Sequence, residues 1–167
     1  RLPLELEGVN LSGVDLRDRD LSGHDLTGAN LTGANVSGAR LPLKLEGVNL
    51  SGVDLRDRDL SSHDLTGANL TGANLTGANV SGANLSNTNL SGANLSGANV
   101  LGAILPRNLE GVNLWGVDLR DLSNARDSVQ ENLGRGRARG GGRARLSRFR
   151  GRAVRILHCT AIDSCCS

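Results

Sequence analysis

The stretch ANLTGANLTGANV, residues 68–80, repeats a unit of five residues, and this repeat decides the fold. The unit reads Ala-Asn-Leu-(Ser/Thr)-Gly, and its central leucine or valine recurs at every fifth position over nearly 120 residues. A strict period this short is typical of a stacked repeat architecture, in which each unit packs against its neighbours.

A period of five excludes both ordinary elements. On an α-helix, five residues turn the chain by about 500°, so the leucines would scatter around the axis. On a continuous strand, an odd spacing would place successive leucines on opposite faces. The pattern therefore predicts one corner per unit, where Gly accepts positive φ and Ser, Thr or Asn bonds to nearby backbone. Four corners close a square coil of about twenty residues.

These tandem units resemble the pentapeptide-repeat family, whose motif is A(D/N)LXX. The resemblance covers roughly residues 1–125. It implies an all-β fold, a right-handed quadrilateral β-helix or solenoid, in which the central residue and the residue two before it point inward. The implied structural core is Leu11, Leu16, Leu21, Leu26, Leu31, Val36, Leu50, Leu55, Leu60, Leu65, Leu70, Leu75, Val80, Leu85, Leu90, Leu95, Val100, Leu114 and Leu119.

The period slips from five residues to four at Pro42 and again at Pro106. The segment that begins at Arg40 repeats the one that begins at Arg1 almost letter for letter. We therefore interpret the repeat domain, residues 1–125, as modules of about 1–40, 41–104 and 105–125. The sequence leaves open one continuous rod with two tightened corners or separate short rods, and we expect one rod, because a corner can absorb the loss of one residue. Since Arg1 lies inside a repeat motif, we also expect the chain to be a fragment.

Acidic residues precede the central leucines in both copies of the module. Because the first copy holds eight central positions, or two full coils, the second copy should return to the same faces of the rod. The spacing predicts two acidic arcs interleaved with arginines, which form either an ordinary solvated surface or a partner surface. The candidate partner surface is Asp15, Asp20, Asp25, Asp54, Asp59, Asp64 and Trp115.

Five large residues depart from the repeat pattern. Arg19, His24, Arg58 and His63 occupy an inward position that is usually small, so they either reach outward at a corner or distort the coil. No ligand spacing accompanies the histidines, which makes a metal or catalytic role unfavoured. Trp115 replaces an outward serine, and we favour its being covered by the C-terminal segment.

Residues 126–167 are a different kind of sequence. They hold ten arginines and three acidic residues, a net charge of +7, whereas residues 1–125 carry −5. We predict a short helix at 123–133 followed by disorder, because an Arg/Gly-rich tract cannot build a core. Such a tract either binds nucleic acid through phosphate charge or is a plain tail, even one read in the wrong frame. The candidate nucleic-acid contacts are Arg135, Arg137, Arg139, Arg143, Arg145, Arg148, Arg150 and Arg152.

No catalytic, cofactor-binding or metal-binding pattern is recognisable, and the tail cysteines have no standard zinc spacing. We therefore predict a non-enzymatic structural or protein-interaction scaffold whose partner is unknown. The resemblance implies an alternative, because some family members mimic DNA and bind type II topoisomerases such as DNA gyrase. Nucleic-acid binding through the tail is another. We expect no membrane or small-molecule partner, and we take the cytoplasm as the default compartment, since no signal peptide or membrane span is visible.

Overall fold

A computed structural model describes residues 5–119, 145–149 and 152–156. Residues 5–119 form a square coil in which parallel β-bridges join residues about one turn apart. The first turn is joined to the second by Glu5↔Asp25, Asn10↔Asn30, Asp15↔Asn35 and Asp20↔Arg40. These four bridges define four sides, which we number faces 1 to 4 in that order.

Six coils stack along the axis. They are coil 1 (residues 5–23), coil 2 (24–42), coil 3 (43–62), coil 4 (63–82), coil 5 (83–102) and coil 6 (103–119). The bridge Asn30↔Asn49 crosses the first four-residue step, and Asn94↔Asn113 crosses the second. The described coils therefore form one continuous stack.

Each corner is a tight turn that the five-residue unit builds from its own side chains. After Leu70, the N–H of Ala73 donates to the Leu70 carbonyl at 3.0 Å, while Asn69 Oδ1 accepts the Thr71 N–H at 3.0 Å. Gly72 supplies the left-handed conformation, with φ of 64°. Where glycine is replaced, the same conformation is taken by Asp18, Asp57, Ser62 and Asn87.

The core is a set of aliphatic columns inside the coil. Every central residue from Leu6 to Val100 is buried, which includes the core residues that the resemblance implies in coils 1 to 5. Leu114 and Leu119 in coil 6 are only partly buried. Burying one leucine contributes roughly 1.5–3 kcal/mol. Because each unit supplies so little, a coil depends on its neighbours for stability.

A β-hairpin is described in the arginine-rich segment. Strand β1 (Arg145–Phe149) pairs antiparallel with strand β2 (Arg152–Ile156). We expected disorder over residues 134–152, whereas the structure places residues 145–149 and 152–156 in this hairpin. The expectation rested on the Arg/Gly-rich composition of the segment and gave no weight to Phe149, Val154 and Ile156, which are residue types that favour strands. The helix expected at 123–133 lies outside the described residues. In the described part of the chain, no helix is long and apolar enough to cross a membrane.

Candidate interaction surface

The six candidate aspartates fall on three faces, two coils apart in each case. The bridge Asn30↔Asn49 sets the register between the two module copies. It places the second copy's aspartates on the faces of the first, as a module of two full coils predicts. The pairs are Asp15 and Asp54 on face 3, Asp20 and Asp59 on face 4, and Asp25 and Asp64 on face 1. Asp64 is half-buried and the other five are exposed.

Face 3 carries the same ion pair twice. Arg17 Nη2 donates to Asp15 Oδ2 at 2.7 Å, and Arg56 Nη2 donates to Asp54 Oδ2 at 2.6 Å. In each pair, the arginine Nε also bonds to the carboxylate, which makes the contact bidentate. These hydrogen bonds hold the pKa of Asp15 and of Asp54 below the ordinary value, and they raise the pKa of both arginines.

On faces 4 and 1 the aspartates accept hydrogen bonds from the corner that follows them. Ser22 Oγ donates to Asp20 Oδ1 at 2.6 Å, and the Thr27 N–H donates to Asp25 Oδ1 at 2.9 Å. Asp59 and Asp64 repeat this arrangement with the serine and the threonine two residues later. The pKa of each carboxyl is lowered, chiefly by the side-chain hydrogen bond in Asp20, Asp59 and Asp64 and by the backbone N–H in Asp25.

A cation separates the two aspartates on faces 4 and 1. Arg40 stands in the column between Asp20 and Asp59, with Arg40 Nη1 3.8 Å from Asp20 Oδ2. Lys44 stands between Asp25 and Asp64 and helps to lower the pKa of both carboxyls. The surface is therefore an alternation of negative and positive charge. We did not assign Arg40 or Lys44 from the sequence, although counting residues across the four-residue step would have placed them in these columns.

Trp115 is 58% exposed at the corner between faces 3 and 4. Its backbone is fixed, since Asn113 Oδ1 accepts its N–H at 3.1 Å and its carbonyl accepts the Gly97 N–H at 2.8 Å. Leu101 and Ile104 are also exposed toward this end of the coil stack. The segment at 123–133 that we expected to cover Trp115 lies outside the described residues.

The four large residues at inward positions differ in their exposure and in their contacts. Arg19 is exposed and His24 half-buried, whereas His63 is only 8% exposed, with Nδ1 3.0 Å from the Ser61 carbonyl oxygen. Arg58 extends over coil 2, where its Nη2 donates to the Ala39 carbonyl. Among residues 5–119 and the hairpin, no group of three or more His, Cys, Asp and Glu is placed to hold a metal ion.

Three of the eight candidate nucleic-acid contacts belong to the hairpin. Arg145 and Arg148 belong to β1, and Arg152 begins β2. The other five candidates, Arg135, Arg137, Arg139, Arg143 and Arg150, lie outside the described residues. Nucleic-acid binding by this segment stays a prediction.

The family model for pentapeptide repeats, which comprises eight copies of the repeat, matches residues 6–42, 49–87 and 73–107. The chain belongs to the pentapeptide-repeat family. The resemblance drawn from the sequence is thereby confirmed, together with the β-helical repeat architecture. Pentapeptide-repeat proteins are in general structural or interaction proteins rather than enzymes.

Three solved structures are similar to this pentapeptide-repeat chain. QnrB1, a plasmid-mediated fluoroquinolone resistance protein, is 25% identical with a TM-score of 0.50; the match covers 75% of this chain and 65% of QnrB1. A pentapeptide repeat protein from Cyanothece 51142 is 34% identical over 68% of this chain and 86% of its own, with a TM-score of 0.37. HetL from Nostoc sp. strain PCC 7120 is 34% identical over 71% and 65%, with a TM-score of 0.34. Among curated protein sequences, none matches.

Proposed function

We propose that this pentapeptide-repeat chain is a non-enzymatic protein-interaction rod that binds its partner through the alternating charges of faces 3, 4 and 1. One observation carries the proposal: the same three aspartates recur on the same three faces two coils apart, and each carboxylate is fixed by hydrogen bonds to its own corner. We infer the right-handed sense of the coil from family membership.

A surface of this kind suits protein recognition because its charges are held in place before binding. A fixed carboxylate loses little conformational freedom when a partner docks, which lowers the entropic cost of association. Equivalent charges two coils apart are separated by about 9–10 Å. Alternating signs favour one partner with the complementary pattern and disfavour others by like-charge contact.

A second candidate is DNA mimicry directed at a type II topoisomerase. It is favoured by the likeness to QnrB1, a fluoroquinolone resistance protein, and by the net charge of −5 over residues 1–125. Double-stranded DNA presents one negative charge per about 1.7 Å of its axis. Here Arg17 and Arg56 pair with Asp15 and Asp54, and Arg40 separates two further aspartates. Because these arginines dilute the negative charge, we place DNA mimicry second to the protein-interaction rod.

The test neutralises the surface without altering the coil. Asparagine occupies the same columns in other coils, at Asn35, Asn74 and Asn79, and its Oδ1 accepts the same corner N–H. The variant replaces all six aspartates, Asp15, Asp20, Asp25, Asp54, Asp59 and Asp64, by Asn. The control is Glu7→Gln with Glu110→Gln, which removes negative charge elsewhere.

Each immobilised protein is incubated with bacterial lysate, and the retained proteins are quantified by mass spectrometry. We expect the partner to be retained by wild type and by the control, and to be lost at least about tenfold in the Asp→Asn variant. Equal retention of the partner by wild type, the control and the Asp→Asn variant would show that the charged faces do not bind it. In parallel, the supercoiling activity of DNA gyrase is assayed in the presence of each protein. Inhibition of supercoiling by wild type alone would make DNA mimicry the preferred function.

A further inference from the structure

Neighbouring coils are joined by a regular backbone ladder where the period stays at five. On face 3, the Leu55 N–H donates to the Asn74 carbonyl at 2.8 Å, and the Asn74 N–H donates back to the Val53 carbonyl at 3.1 Å. The corners add a bond of the same kind, such as Gly52 N–H to Thr71 carbonyl at 2.9 Å. Twelve such bonds join coils 3 and 4.

The ladder between coils 2 and 3 is open on three of its four faces, namely faces 1, 3 and 4. Four backbone hydrogen bonds join these coils, all at face 2 and its corners. The last of them, from the Gly33 N–H to the Ser51 carbonyl, is already stretched to 3.3 Å. Beyond it, within residues 34–59, which the structure describes throughout, no backbone bond crosses between the coils. The N–H groups of Val36 and Gly38 face coil 3 without a partner, and those of Asp54 and Asp59 face coil 2. We call this interval the seam.

Arg58 occupies one part of the seam. Its repeat position is alanine in coils 2, 4 and 5, at Ala39, Ala78 and Ala98. The Arg58 side chain reaches toward the preceding coil. Arg58 Nη2 donates a hydrogen bond to the Ala39 carbonyl, whereas the equivalent Ala78 carbonyl accepts the Asn99 N–H at 2.9 Å. The Arg58 side chain therefore stands where other coils have a ladder bond.

The guanidinium is not satisfied by this contact. Arg58 Nε is buried and has no hydrogen-bond partner, and burial lowers the pKa of Arg58. A buried donor without an acceptor is destabilising, and more so when the group is charged. Arg58 Nε thus holds an unused donor inside the seam, which an acceptor reaches where coils 2 and 3 part.

The seam is the floor of a groove of about 560 Å³ on face 3. One lip is formed by residues 33–38 of coil 2, and the other by Gly52, Asp54 and residues 56–58 of coil 3. The groove runs from one corner of the face to the next, which is the length of one extended segment of the coil itself. Both lips carry unpaired backbone groups, and unpaired strand edges pair readily with an added strand.

We propose that this groove binds an extended segment of a partner polypeptide, whose backbone pairs with the lips at Val36 and Asp54 and whose acidic side chain accepts the Nε–H of Arg58. A nucleic-acid strand suits the groove less well, because its phosphate backbone has no N–H donors to pair with the carbonyl groups of the lips. The proposal adds a second contact to the proposed protein-binding function and names the chemistry of the segment bound.

The chain supplies a matched pair of variants. Arg58→Ala installs the residue that the same column has in coils 2, 4 and 5, so the coil should fold. Arg19→Ala makes the same change at the equivalent position of the first copy, where the arginine is exposed and does not line the groove. The probe is a fluorescent mixture of short peptides with a central Glu and Val or Thr elsewhere, and its twin has Gln at the centre.

Binding to the full chain is followed by fluorescence anisotropy. We expect the Glu peptides to bind at least about tenfold more tightly than the Gln peptides. Arg58→Ala should abolish this difference and Arg19→Ala should preserve it. In hydrogen exchange, the amides of Val36, Gly38 and Asp54 should become protected when peptide is added.

The proposal is overturned if no peptide of the mixture binds wild type, if Arg58→Ala binds as wild type does, or if the three amides are unaffected by peptide. A triple variant, Asp15→Asn, Asp20→Asn and Asp25→Asn, separates this site from the charged faces. It removes charges outside the groove lining, so peptide binding should persist there even if retention of the natural partner is lost.

Discussion

Leu75 shows how much one central residue supports. It lies on face 3 in the column between Leu55 and Leu95, and all three side chains are almost completely buried. Leu75→Ala would remove contacts to the coil on either side, and the corners on both flanks would prevent the wall from collapsing into the space. We expect the free energy of unfolding to fall by about 2–5 kcal/mol, measured by urea denaturation followed by circular dichroism.

Thr76→Ala is the matched control, one residue further along the chain. Thr76 is half-buried, and its hydroxyl donates to Asn74 Oδ1 at 2.7 Å. Its loss should change the free energy of unfolding by no more than about 1 kcal/mol. If both variants lost stability equally, the inward direction assigned to the central residue would be wrong.

At the scale of the corner, the lowered pKa values of the aspartates link stability to acid. A carboxyl whose pKa in the folded state lies below the ordinary value of 3.8 contributes stability that is present above 3.8 and is lost as pH falls through the folded pKa. We therefore expect the wild-type Tm to decrease as pH is lowered from about 5 to 2. The variant with all six Asp→Asn changes should lose less Tm over the same range.

Circular dichroism melts at a series of pH values measure this difference. The double variant Glu7→Gln and Glu110→Gln serves as the control, and its curve should stay close to that of wild type. Parallel curves for wild type and the Asp→Asn variant would mean that the corner bonds to these carboxylates do not persist in solution.

The corners could be predicted from the sequence because each is settled within one unit. Asn69 reaches only to Thr71, and Gly72 needs only its own left-handed φ. The seam could not be predicted in this way. The identical RDRD segments at 17–20 and 56–59 lie in different surroundings, because Arg58 contacts Ala39 of coil 2 whereas Arg19 is exposed. What Arg58 does depends on Ala39, a residue that is distant in sequence and stacked beneath it.

The same reasoning applies to the charged columns. The period gives the face of each aspartate, but the neighbour above it depends on how the four-residue step at Pro42 is absorbed. The structure absorbs it at the corner before face 1, so that Lys44 enters the column of Asp25 and Asp64. Alternating charge is thus a property of the stacked coils that no single unit contains.

At the scale of the whole molecule, the seam divides the coil stack into two unequal parts. Four backbone hydrogen bonds join coil 2 to coil 3, against twelve between coils 3 and 4. In a repeat protein, stability is close to a sum of nearest-neighbour terms, so the weakest junction determines where the stack opens first. Coils 1 and 2 should therefore open as a unit at lower free energy than coils 4 and 5.

Native-state hydrogen exchange tests this expectation residue by residue. The amides of Leu11 and Leu16, both bonded between coils 1 and 2, should exchange through an opening of lower free energy than those of Leu70 and Leu75. Arg58→Ala removes the buried unpaired Nε–H and lets the Asp59 N–H reach the Ala39 carbonyl, as Asn99 reaches Ala78. That variant should raise the opening free energy of coils 1 and 2 by about 1–3 kcal/mol, while Arg19→Ala leaves it unchanged. Equal protection of both parts in wild type would show that the seam is closed in solution, and it would remove the physical basis of the peptide groove with it.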